Sequence, residues 1–257
     1  MRGRACSRVI VSRIERCLFT ARTLEEEDKV IALLYECATQ PFFLGISAPL
    51  VTLGYLAEVV EEFGWEKSFE LVFNLGAKLV GQGRGEPDLY RRDAVRIMTE
   101  NQRAADAYKE NPKAAYDEDA FVEAVTSVDL DRSFSAVVKV LQEGVSLERI
   151  ATTFVLLAAD RMARTPVNVE AGWHELASEL SVGACLRAAR RHAGEAVAAR
   201  GVFQAAWQIF EHRWINIPNR ALSEALVGQK LDAADTKDGV AKIIELIENV
   251  GALGMDE

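Results

Sequence analysis

Histidine, cysteine and proline are scarce in this chain: 257 residues hold three, four and six of them. His174, His192 and His212 each lack a Glu three positions earlier, so the Glu-x-x-His pairs of a carboxylate-bridged di-iron bundle are missing. Cys6, Cys17, Cys37 and Cys185 form no CxxC pair. That spacing argues against a disulfide framework or thiolate metal site and predicts reduced thiols in a cytoplasm. No metal and no cofactor is therefore expected. Long apolar runs are absent too. The longest, Val30–Tyr35 and Phe154–Ala159, fall far short of the roughly 20 residues that span a bilayer. Neither a GxSxG elbow, HExxH, a Walker loop nor a dinucleotide fingerprint occurs, which removes the commonest catalytic signatures. Gly81-Gln82-Gly83-Arg84-Gly85 is glycine-rich, but it follows a helical pattern where a phosphate cradle would follow a strand. It reads as a connection.

A basic excess is also lacking. Thirty basic residues face thirty-nine acidic ones, for a net charge of −9, which excludes a phosphate-tracking nucleic-acid binder. The first 22 residues depart from this balance, with six arginines against Glu15, a net of +5 that leaves −14 for the rest. An Arg-rich, acid-poor start suits a transit peptide or a membrane-surface helix. The spacing of Val9, Ile10, Ile14, Cys17 and Leu18 fits better a basic N-terminal helix docked on an acidic body. Residues 23–257 then form a single domain.

What the sequence has in abundance is helical periodicity. All six prolines lie at the edges of apolar-periodic segments, where a missing N–H is tolerated. Thr23 and Glu26 form a capping-box pattern before Leu24–Thr39. Further helices are expected over Pro49–Phe63, Glu66–Val80, Pro87 to about Asn111, Glu118–Thr126, Arg132–Glu143, Leu147–Arg164, Glu170–His192 and Glu195–Trp214. Ala221–Val227 and Lys237–Val250 complete the series. The expected fold is all-α, a bundle of roughly ten helices.

Two stretches, 24–80 and 146–214, also echo one another. Val72-Phe73-Asn74-Leu75-Gly76-Ala77 resembles Val202-Phe203-Gln204-Ala205-Ala206-Trp207, and Gly54 and Gly183 hold similar places one helix earlier. One reading is a duplicated three-helix unit about a pseudo-twofold axis, with these small residues at close helix approaches. The other is that amphipathic helical hairpins resemble one another.

Candidate site residues follow from this frame. Glu170, His174 and Ser178 recur every four positions and share a helical face. His174 is thus a candidate general base near neutral pH or a ligand for one metal ion, and equally an exposed histidine paired with an acid. Glu36 and Asp160 interrupt apolar helices at comparable places in the two stretches. A carboxylate there is either ion-paired, with Arg164 one turn beyond Asp160, or a catalytic group in a central cleft. Tyr55, Trp173 and Trp207 are candidates to line an apolar pocket, core packing being their other use.

Ala48-Pro49-Leu50-Val51-Thr52-Leu53-Gly54-Tyr55 resembles the His-Pro-Leu-Ile-His-Leu-Gly-Tyr stretch of questin oxidase-like proteins. Trp173-His174-Glu175-Leu176, Leu186-Arg187-Ala188-Ala189-Arg190 and Glu211-His212-Arg213-Trp214 continue the likeness. The resemblance implies a duplicated helical domain of the kind that accompanies Rieske-type iron–sulfur domains, with oxidase activity on an apolar cyclic substrate. Where that family carries histidines, this chain has Ala48, Thr52, Pro166 and Ser178, and no iron–sulfur ligand pattern is present. Three functions follow as expectations. The first is a non-catalytic accessory protein that binds a protein partner or a second copy of itself. The second is an oxidoreductase of the questin oxidase-like kind, and the third a binding module for a small apolar ligand.

Overall fold

The computed structural model describes residues 16–21, 23–24, 26–41, 49–82, 89–165 and 173–213, all within one compact unit. The regular structure of these residues is entirely helical, with no strand among them. After a helical stretch at 16–21 come α1 (Glu27–Ala38), α2 (Pro49–Phe63), α3 (Trp65–Gln82), α4 (Leu89–Asp106) and α5 (Glu118–Val125). They are followed by α6 (Leu130–Gln142), α7 (Leu147–Arg164), α8 (Trp173–Ala193) and α9 (Glu195–Glu211). The all-α, roughly ten-helix expectation holds. The helices expected at Ala221–Val227 and Lys237–Val250, most of the basic N-terminal segment, and Glu170 and Trp214 lie outside the described residues.

Local chemistry explains most boundaries. Asp117 and Asp129 cap α5 and α6, their carboxylates accepting from Ala120 N and from Asp131 and Arg132 N, which satisfies N–H groups that the first turn leaves open. In α6 the buried Ser133, Phe134, Val137, Val140 and Leu141 recur at helical spacing and form one inward stripe. Gly64 and Gly194 have φ of 79° and 88°, a region that only glycine enters cheaply, and so permit the tight α2–α3 and α8–α9 connections.

Two local expectations are corrected. The Thr23–Glu26 capping box does not form. Thr23 is itself helical and its hydroxyl donates one turn back to Phe19 O at 2.8 Å, while Glu26 occupies the cap position without a side-chain cap bond. The helix expected to reach Asn111 ends at Asp106. Beyond it Tyr108 donates to Val145 O at 2.9 Å, and Asn111 N donates to Gly144 O at 2.8 Å. Those distant partners draw the chain out of helical geometry.

The core is organised around α9. Val197–Phe210, fourteen consecutive residues, are buried, so this helix has no solvent face, and α4 to α8 all pack on it. Phe203 meets Phe134 of α6 edge-on at 5.5 Å between ring centroids, a geometry that aromatic quadrupoles favour. The polar exceptions on α9 are spaced by four. Arg200 lies 3.4 Å from Asp106 and 3.7 Å from Glu36, Gln204 donates to Ala38 O, and Gln208 donates to Ser178 Oγ. Each polar group on this stripe is met by a partner on another helix, as burial requires. The stripe continues into His212.

Candidate functional site

Three helix faces enclose a cleft of about 590 Å3. Because Pro49 opens α2, the first turns of that helix present Leu50, Val51, Thr52 and Tyr55. From α8 come His174, Glu175, Ser178 and Val182, and from the end of α9 come Gln204, Trp207, Gln208, Glu211 and His212. The last two sets follow the i, i+4, i+8 rule of one helical face. Leu50, Val51, Val182 and Trp207 make one part of the lining apolar, while the histidines and carboxylates are gathered at the ends of α8 and α9. The volume falls within the range of small-molecule sites.

Behind the polar part lies a buried ion cluster. Glu179 of α8 is 0% exposed and Arg161 of α7 is 4% exposed. The Arg161 guanidinium donates to Glu179 Oε2 at 2.8 Å, and His212 Nδ1 meets Oε1 at 3.0 Å. A carboxylate can only accept, so Nδ1 carries the proton in this contact. Arg161 already balances the charge of Glu179. His212 completes the cluster through Nδ1. Each carboxylate oxygen thus has its own donor, without which so deep a charge would be very costly.

His174, Tyr55 and Trp207, three of the expected site residues, do meet at this cleft. Trp207 is buried in its wall. Tyr55 is at the rim, donating to Ser181 Oγ at 2.6 Å, while Ser181 itself donates to Ala177 O. His174 is 86% exposed and touches Glu175 at 2.8 Å. Trp173 is not among the lining residues and is partly exposed. Glu36 and Asp160 do not converge on the cleft. Glu36 is 56% exposed beside Arg200, and Asp160 is 45% exposed with Arg164 at 2.7 Å. The one-turn reach of Arg164 gives the second carboxylate the expected ion pair, and neither residue lines the cleft.

The residues missing from the sequence reading are Arg161, Glu179 and His212. A signal for them existed. Glu179 shares a buried face with Leu176, Val182 and Leu186, and Arg161 shares one with Leu157 and Ala158. Opposite charges on the buried faces of two consecutive helices invite pairing. His212 lies four residues beyond Gln208, at the end of the α9 stripe.

No group of three or more metal-ligating side chains stands together among the described residues, and no helix among them is long and apolar enough to cross a membrane. Comparison with protein-family models, with curated proteins and with solved structures finds no match.

Proposed function

We propose that this protein binds a small organic molecule with a largely apolar body in the cleft between α2, α8 and α9. The observation that carries this reading is the cleft itself. It is a cavity of about 590 Å3, with an apolar wall for the ligand body and convergent polar groups to orient it. The Arg161–Glu179–His212 cluster supports it further by anchoring the His212 ring through Nδ1 at the polar part of the cleft. An oxidoreductase acting on an apolar cyclic substrate, as the questin oxidase-like resemblance implies, would use this same cleft. A screen of small aromatic molecules by thermal shift tests the reading, with Thr52→Trp as a variant whose added ring fills the cleft. Binding to the parent protein that is lost in the folded variant is expected; equal responses from both proteins would refute the site.

Partner binding is a second reading, favoured by one feature of the surface. Phe19, Leu24, Leu33, Phe63 and Leu71 are each about half exposed or more, and all belong to the N-terminal part of the bundle. Large apolar side chains left in water mark a contact surface when they are contiguous. Light scattering of the purified chain tests the homo-oligomer form, and Leu33→Ser with Leu71→Ser is expected to shift any dimer to monomer.

A further inference from the structure

We propose, building on the small-molecule reading of the cleft, that its ligand is a small organic cation: a protonated amine on a flat apolar body. The charges that line the cleft are the basis. Its described lining contains Glu175 and Glu211 and neither a lysine nor an arginine. Two buried cations of the bundle are committed elsewhere, Arg161 to Glu179 and Arg200 to Asp106 and Glu36. Among the described residues the cleft wall thus offers the Glu175 carboxylate and neither a lysine nor an arginine.

The acceptors point the same way. Glu175 touches His174 through Oε1 only, and its Oε2 is buried with no hydrogen-bond partner among the described residues. A buried carboxylate oxygen without a donor is costly, and a donor brought by a ligand relieves that cost. An ammonium group has three donors and a positive charge, so it supplies the missing donor and a counter-charge together. An acid would meet carboxylates, and a neutral alcohol would bring one donor and no charge. Charge-assisted hydrogen bonds are about twice as strong as neutral ones, which favours the amine. Leu50, Val51 and Val182 of the lining would take the apolar body.

Three probes that share an indole ring separate the possibilities: tryptamine, tryptophol and indoleacetate, titrated calorimetrically into the full chain and into Glu175→Gln. Tryptamine is expected to bind at least about tenfold more tightly than tryptophol, a difference of about 1.4 kcal/mol, with indoleacetate weakest. In Glu175→Gln, which keeps shape and removes charge, the preference for tryptamine is expected to fall to within about threefold. Equal or tighter binding of tryptophol or indoleacetate to the parent chain would overturn the cation assignment and leave the cleft as a small-molecule site. A tryptamine preference that persists undiminished in Glu175→Gln would also overturn it. Failure of all three probes to bind would count against the small-molecule reading and remove the cation assignment with it.

Discussion

The helices α1–α3 and α7–α9 occupy the two stretches whose sequences echo one another, yet the bundle uses them differently. In both, three helices follow in order and the middle one carries a glycine at a close approach. A Cβ on Gly54 would fall 2.4 Å from Cys185 Sγ, and one on Gly183 would fall 2.4 Å from Val155 Cγ2 and 2.5 Å from Ala151 O. The turns at Gly64 and Gly194 match as well, but the packing differs. Gly183 meets the helix before it within its own stretch, whereas Gly54 meets α8 of the other. The second stretch holds the buried helix α9 and the buried Arg161–Glu179 pair. The first keeps Leu33, Tyr55, Phe63 and Leu71 in solvent, against Leu156 and Trp173 in the second. Similar apolar periodicity thus produces a core in one place and a partly open face in the other. What separates them is the number of sides from which neighbours close in, and periodicity alone does not encode that number.

The largest difference expected between the stretches concerns charge. Glu179→Leu leaves Arg161 buried and unpaired and is expected to cost about 3–5 kcal/mol in chemical denaturation. Glu36→Ala and Asp160→Asn, whose carboxylates are about half exposed, are each expected to cost about 1 kcal/mol or less. Equal losses would erase the distinction between core and edge. The aromatic pair that suggested the repeat gives the next contrast. Phe203 is fully buried and Phe73 only partly so. Phe203→Ala is expected to cost about 3–5 kcal/mol and Phe73→Ala less than half of that.

The glycines sharpen the comparison further. Gly183→Ala drives a methyl group against the Ala151 carbonyl, a backbone atom, whereas Gly54→Ala meets the Cys185 side chain. A loss of about 1–3 kcal/mol is expected for Gly183→Ala, and a smaller one for Gly54→Ala. If Gly54→Ala proves the costlier, α2 and α8 are packed more rigidly than α7 and α8.

The smallest effect lies where α1, α2 and α8 meet. His192 stacks on Tyr35 at 5.9 Å and lies 3.2 Å from Glu61. Burial, then Arg191, lowers its imidazole below the ordinary range, against the opposing pull of Glu61 and Asp28. As pH falls through the ordinary histidine range, the unfolded chain takes up a proton that the folded chain resists. Stability therefore declines on that side until the folded imidazole titrates as well. Denaturation midpoints at about pH 7.5 and about pH 5.5 are expected to differ less in His192→Asn than in the parent chain. An unchanged difference would place the pH sensitivity elsewhere.

Much of the fold was legible because helical periodicity and proline position are local properties. The start of α2 at Pro49 and the bend at Gly64 are both written in neighbouring residues. The end of α4 was not, since it depends on Asn111 and Tyr108 finding Gly144 and Val145, more than thirty residues away. The cleft was half legible. His174, Tyr55 and Trp207 stood out as polar or aromatic residues on apolar helices. Arg161, Glu179 and His212 come from three helices and form a cluster only through packing. The spacing of Arg200, Gln204, Gln208 and His212 was nonetheless a readable sign that a polar stripe threads the most deeply buried helix.

Whether the cleft between α2, α8 and α9 takes a ligand is tested most directly by mapping a bound probe with protein-observed NMR. Tryptamine added to the labelled full chain is predicted to shift resonances of Val51, Ser178, Gln208 and His212, and to leave them still in Thr52→Trp. Shifts confined to the exposed apolar residues of α1–α3, or the same shifts in Thr52→Trp, would contradict the assignment of this cleft as the binding site.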